Sequence, residues 1–350
     1  MSVFNVNPDI NRAETLASEF YTSEKYFEET KEKIFARSWQ FLGVPDEINN
    51  LKPFTVLENF LDEPVLFTKH NENLNCLSNV CTHRGKILIE TECNLNGIRC
   101  GYHGRRFDLD GKFLTMPEFE QAENFPTEKD NLPRIPFGIW NDFLFVSMNP
   151  VAPLEEFLSF ETQGIFRAID FENLKFVSAR DYTVKAHWAL YCENYLEGFH
   201  IPFVHKSLNE AIEFNNYKTE TFRYSSLQTG FAKDGENTFD FDKNIAAFYF
   251  FVFPNLMLNF YPWGLSVNIV KPIKKDLTKV SYLTFVSDES KLNKGAGADL
   301  ETVEFEDQAV VESVQKGINS RVYNRGRYSP VREQGTHHFH RLIAEFMTAK

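Results

Sequence analysis

Two short loops, each pairing a cysteine with a histidine, constrain this chain more than any other feature. The text "CTHRGKILIETECNLNGIRCGYHG" runs from Cys81 to Gly104. Cys81-x-His83 is followed, after sixteen residues, by Cys100-x-x-His103. Two thiolates and two imidazoles in short loops form a metal-ligand set. Donors of that softness suit zinc or an iron–sulfur centre. A zinc finger of the usual type groups its cysteines in one pair and its histidines in a later helical pair. Here each loop supplies one of each, on a strand-rich background. That suits a [2Fe–2S] cluster with thiolates on one iron and imidazoles on the other. Gly85 and Gly104, just beyond the histidines, are expected to let backbone amides approach the bound group.

The rest of the text places these loops in a larger chain. At 350 residues and 43% hydrophobic, there is material for two domains and a sizeable core. Residues 24–41, "EKYFEETKEKIFARSWQF", read as an amphipathic helix within an N-terminal segment, 1–41. From 42 to 152, short apolar runs such as "PVLFTKH" and "DFLFVSM" alternate with turn signals such as "NEN" and "DLDG", as in an all-β domain. "MNPVAPLEEF" reads as a boundary. Residues 153–350 mix strand-like runs with helical stretches near 185–200 and 299–323. The expected class is α+β, with an antiparallel sheet and flanking helices in the second domain.

Charge and cysteine usage exclude some partners. The formal net charge is −12 and basic residues form no long block, so neither nucleic acid nor an anionic membrane is expected. The longest apolar run, "IAAFYFFVF", is too short to span a bilayer. Five cysteines and no visible secretory signal fit a reducing, cytoplasmic setting. Cys76 and Cys93 lack partnered histidines and read as packing thiols.

The paired loops resemble those of the Rieske iron–sulfur proteins. Respiratory-chain members carry two more cysteines there, and this chain has Lys86 and Tyr102 instead. The resemblance therefore points to the lower-potential type used by Rieske oxygenases and their ferredoxins. One departure stands out. Many oxygenases have Trp after "HG", where this chain has Arg105, which is expected to be a solvated loop residue.

A second constellation lies in "YCENYLEGFHIPFVHKSL", 191–208. His200 and His205 are five positions apart, about 140° around a straight helix, so Pro202 is expected to break the helix and let them converge. Alone, such a pair is more often structural than metal-binding. Rieske oxygenases, however, carry an acid-x-x-His-x4-His segment in a C-terminal domain, with a later carboxylate as third iron ligand. Glu197, His200 and His205 match that segment, and Asp307 in "VEFEDQAVVESVQ" matches the carboxylate, with Glu306 as fallback. Glu304 and Glu306 read as solvated helix-face acids. Two histidines and a carboxylate make the facial triad of mononuclear Fe(II). The resemblance also implies that Glu197 bridges to a cluster histidine of a neighbouring subunit in a homotrimer. Glutamate there, where most ring-hydroxylating members have Asp, resembles the branch acting on choline, carnitine or betaines. Asn194, one turn earlier, is a candidate lining residue.

The implied activity is that of a terminal oxygenase using dioxygen, a small-molecule substrate and electrons from a separate reductase, with or without a ferredoxin. The chain has no GxGxxG fingerprint and no plant-type four-cysteine run of its own. The aromatic run "FYFFVFPNLMLNFYPW", 248–263, reads either as core-packing strands or as rings caging a quaternary ammonium group. An aromatic-ring dioxygenase and a pure electron carrier are the competing readings.

Overall fold

The computed structural model describes residues 3–44, 48–70, 73–159, 169–233, 237–242, 244–292, 294–298 and 300–349. The chain forms two compact units, one of residues 36–151 and one of residues 1–35 with 152–350.

Residues 36–151 build three small antiparallel sheets. The strands are β1 (Gln40–Gly43), β2 (Leu51–Val56), β3 (Glu63–His70), β4 (Asn73–Ser78), β5 (Ile98–Arg99), β6 (Arg106–Phe107), β7 (Phe113–Thr115), β8 (Phe137–Trp140) and β9 (Phe143–Val146). Their orders are β1-β9-β8, β2-β3-β4 and β5-β6-β7. Leu51, Leu66, Leu77, Ile98 and Phe107 form a core that also contains Cys81 and Cys100. Cys76 is buried, and Cys93 packs against the same core and exchanges backbone hydrogen bonds with Leu51.

In the other unit a seven-stranded antiparallel sheet runs β10-β16-β15-β14-β13-β12-β11. Its strands are β10 (Lys175–Val184), β11 (Lys218–Thr221), β12 (Ser225–Phe231), β13 (Ile245–Val252), β14 (Leu256–Tyr261), β15 (Gly264–Lys274) and β16 (Leu277–Val286). The helices are α1 (Ser18–Thr22), α2 (Glu24–Thr30), α3 (Leu154–Phe157), α4 (Trp188–Tyr195), α5 (Ile201–Val204), α6 (Lys206–Ala211), α7 (Leu300–Ile318) and α8 (Gln334–Thr348). Every residue of β14 is buried, which explains why its text is apolar apart from Asn259: a central strand covered on both faces has no solvent side to alternate with. α4 packs on β15 and α7, and α7 buries Val311, Gln315 and Ile318, spaced four and three apart on one face.

The helix expected over residues 24–41 is shorter. α2 stops at Thr30, one π-helical turn spans Lys31–Phe35, and Gln40 opens a strand paired with Val146. Apolar residues at 27, 34 and 35 pack as helix, whereas Phe41 faces Phe143 and Phe145 as strand. The run of apolar positions thus crosses from one unit into the next, and helical periodicity cannot show that. No helix among the described residues is long and apolar enough to cross a membrane.

Candidate metal centres and the cavity beside one of them

The two Cys-His loops have the same backbone construction. Cys81 N–H donates to Lys86 C=O at 2.9 Å and Gly85 N–H to Cys81 C=O at 3.0 Å. Cys100 N–H donates to Arg105 C=O at 2.8 Å and Gly104 N–H to Cys100 C=O at 3.1 Å. Gly85 and Gly104 have φ of +72° and +76°. A Cβ at Gly85 would meet nothing within 4 Å, so the requirement there is the left-handed turn and not space. The thiols sit inside, at 3% and 2% exposure, while His83 is half-buried and His103 exposed, with ring centroids 4.8 Å apart. A buried thiolate pair beneath an outward imidazole pair matches the two-sided donor set of a Rieske cluster. All five cysteines are free thiols.

Arg105 corrects the expectation of a solvated loop residue. It is 2% exposed, its guanidinium donates to Asp130 Oδ1 at 2.5 Å, and it lies 4.9 Å from the Phe113 ring and 5.5 Å from that of Phe125. Burial works against the Asp130 carboxylate, but Thr127 N–H and Arg105 outweigh it and hold its pKa below the usual value. A buried cation is tolerated here because it is paired and stacked.

In the other unit, the chain leaves α4 at Leu196, before Pro202. Pro202 then stands in the first turn of α5, a place where its missing N–H costs no hydrogen bond. The proline therefore opens a short helix and does not break a long one. His200 precedes that turn and His205 follows it, so one turn of helix brings the imidazoles together, with Nε2 atoms 3.1 Å apart. Asp307 Oδ1, from α7, lies 3.0 Å from His205 Nε2 and 3.5 Å from His200 Nε2. Ligand atoms of the three residues all fall within 4.8 Å of one another.

The second nitrogens explain the first. His200 Nδ1 lies 2.7 Å from Glu197 Oε1, and His205 Nδ1 lies 2.7 Å from Glu306 Oε2. A carboxylate only accepts, so each Nδ1 carries the proton and each Nε2 presents a lone pair to the other and to Asp307. Such an arrangement is repulsive without a cation, which makes the residues fit a metal. Burial disfavours the His205 imidazolium, yet Asp307 and Glu306 outweigh it and raise its pKa. Glu197 also accepts His200 N–H at 3.1 Å, fixing that histidine at both ends. Glu306 is thus a partner of His205 and not a solvated acid.

A cavity adjoins these donors, lined among others by Tyr195, Tyr217, Tyr249, Tyr261 and Glu304. Sheet register explains most of its wall. Tyr249 pairs with Asn259, and Asn259 with Ser266, so these three share one face across β13, β14 and β15. Tyr261 and Asn268, two residues along their strands, join that face. The aromatic run at 248–263 therefore divides: its two tyrosines line the cavity, while Phe250 and Phe260 pack edge to face in the core. Gly198 lies so close to Tyr217 that a Cβ would come within 2.6 Å of its ring.

Two further sequence expectations need correction. Asn194 is not among the lining residues; the adjacent Tyr195, about 100° further round α4, is. Glu304 is no solvated acid. It lies one turn before Asp307 on α7, lines the cavity, and accepts from Tyr191 at 2.5 Å and from Tyr282. Burial, then the charge of Asp307, push its pKa up to about 7 against the pull of those hydroxyls. The i,i+3 spacing to Asp307 was the one sequence signal for it.

Comparison with known proteins gives the family. The "Rieske [2Fe-2S] domain" family matches residues 38–126, and "Ring hydroxylating alpha subunit (catalytic domain)" matches residues 171–349. The carnitine monooxygenase oxygenase subunit of Escherichia coli (strain K12) is 30% identical over 98% of this chain and 96% of its own length. Chloroplastic choline monooxygenase of Arabidopsis thaliana is 28% identical over 97% of this chain and 84% of its own length. The quaternary ammonium Rieske monooxygenase CntA, solved in complex with L-carnitine, superposes with a TM-score of 0.76 at 26% identity, covering 98% of this chain and 97% of that one. The chain belongs to the Rieske-type ring-hydroxylating oxygenase alpha subunits, oxygen-dependent oxidoreductases that carry a [2Fe–2S] cluster and a mononuclear iron.

Proposed function

We propose that this terminal oxygenase hydroxylates or N-demethylates a small quaternary ammonium compound. In this reading the cluster is held by Cys81, His83, Cys100 and His103, and the mononuclear iron by His200, His205 and Asp307. The carrying observation is the convergence of His200, His205 and Asp307 on the wall of a cavity lined by four tyrosines. A mononuclear iron there supplies reductive activation of dioxygen and insertion of oxygen into a substrate bond.

The chain's own residues do the rest. Glu197 and Glu306 fix the tautomer and direction of both imidazoles. Tyr195, Tyr217, Tyr249 and Tyr261 offer ring faces to an ammonium group, whose positive charge suits the negative face of an aromatic ring. Asn259, Asn268 and Ser266 offer neutral hydrogen-bonding groups to the remainder of the substrate. The carboxylates in the wall favour a cationic substrate over an unsubstituted aromatic hydrocarbon, which carries no charge to set against them. The relatives' names point the same way, to choline and carnitine.

Electrons come from a separate reductase, directly or through a ferredoxin, and the working assembly in this reading is a homotrimer in which Glu197 also reaches a neighbouring subunit. Native mass spectrometry tests the trimer; a monomer at working concentration removes it. The substrate test is oxygen uptake with a surrogate reductase against choline, L-carnitine, glycine betaine, stachydrine and simple aromatics. Uptake stimulated by a quaternary ammonium compound is expected. Stimulation by aromatics alone would overturn the reading.

A further inference from the structure

We propose that Glu304 is the counter-charge for the substrate's ammonium group, and that the cavity takes a quaternary ammonium alcohol of net charge +1 in preference to a zwitterionic betaine. The proposal rests on the quaternary ammonium reading above and narrows it.

Glu304 is an acid with two hydroxyl donors and, among the described residues, no hydrogen-bonded cation. Tyr191 and Tyr282 both bond the same oxygen, Oε2, and the two hydroxyls also touch each other. Tyr282 comes from β16, Tyr191 from α4 and Glu304 from α7, so three elements fix the carboxylate at the wall. Neither Glu304's hydrogen-bond partners nor the cavity's lining include a lysine or arginine among the described residues. Glu304 is half-buried and lines two adjoining cavities; a partly desolvated carboxylate with no bonded cation is costly, and a bound ammonium group would offset that cost. Asp307, in the proposed iron shell, is already committed to a metal; Glu304 is not. The tyrosines line the same cavity as one packed group: Tyr249 lies edge to face with Tyr195 at 6.5 Å and with Tyr261 at 6.0 Å, and stacks on Tyr217 at 6.5 Å.

The same lining decides against a second, anionic end. The carboxylate of a betaine or of carnitine would face Glu197, Glu304 and Asp307, with no lysine or arginine in the wall among the described residues and both imidazoles directed to the proposed iron. A hydroxyl would instead meet the neutral polar groups of Asn259, Asn268 and Tyr249. An arginine, Arg180, lies in a neighbouring cavity that shares Ser266, Leu300 and Glu304 with the first, but it is exposed and paired with Glu301 at 3.2 Å.

The test is anaerobic titration calorimetry on the full iron-loaded chain. Its ligands are choline, the neutral isostere 3,3-dimethyl-1-butanol, and L-carnitine. Choline should bind at least about tenfold tighter than either of the others. Glu304→Gln should weaken choline at least about tenfold and leave the isostere within about threefold, which also shows that the variant cavity is intact. Glu304→Asp should fall between. The proposal is overturned if Glu304→Gln weakens choline and the isostere equally, or if carnitine binds as tightly as choline and loses affinity in Arg180→Gln. If no quaternary ammonium compound binds while a simple aromatic does, the substrate reading itself fails, and this narrowing with it.

Discussion

The two candidate metal centres are built in opposite ways. The cluster loops are local: each closes on itself through the same two backbone hydrogen bonds, and a left-handed glycine ends each turn. The iron pocket is tertiary. His200 and His205 flank α5, Asp307 comes from α7, and the cavity wall comes from α4, α6, α7, Tyr217 and three sheet strands. A locally closed site tolerates change elsewhere in the chain. A site assembled from distant elements depends on their packing.

The largest expected effects separate the two centres. His205→Ala should lower substrate turnover at least about a thousandfold while leaving the visible absorption of the cluster unchanged. Cys100→Ser should abolish that absorption yet leave substrate binding measurable by calorimetry. Loss of both properties in either variant would break the contrast.

Next in size is Arg105→Met, which removes the guanidinium from the Asp130 carboxylate and leaves it only the Thr127 donors. Thermal unfolding should show a loss of about 2 kcal/mol. Affinity for substrate at the iron pocket should not change.

Glu304 gives the iron pocket a pH dependence. Its pKa in the folded chain is about 7, against an ordinary value of 4.5. Below about pH 4.5 the group is protonated in both states and costs nothing. Between about pH 4.5 and 7 the unfolded chain ionises the group while the folded chain still holds it protonated, so stability falls across that window and levels off as the folded group ionises. Glu304→Gln in metal-free protein should remove roughly 1–3 kcal/mol of that fall between about pH 4.5 and 7, read from denaturant unfolding. An unchanged pH profile would count against the enclosed carboxylate.

Gly198→Ala should push the Tyr217 ring aside and raise KM about fivefold with little change in kcat. Asn194→Ala should change neither by more than about twofold, because Asn194 does not line the cavity. A large effect there would restore Asn194 as a site residue.

What could be read from sequence follows the same division. The Cys-His loops were legible because their ligands lie within a few residues of one another. His200, His205 and Asp307 became legible only through a family resemblance, since their convergence depends on where α7 lies against α5. Glu304, Glu306 and the choice among tyrosines needed the fold. Adjacent acids on one helix face different neighbours, and adjacent strand residues face opposite sides of the sheet. Arg105 and Pro202 were misread for a related reason: general expectations for arginine in loops and proline in helices gave way to a specific partner, Asp130, and a specific position, the first turn of α5.

The central claim is that one chain holds a cluster and a separate mononuclear iron at independent sites. Its most direct test is iron and acid-labile sulfide per chain in the native protein and in His205→Ala. About three irons with about two sulfides, falling to about two and two in the variant, is the predicted result. About two irons in the native protein, or sulfide lost together with iron in the variant, would contradict it.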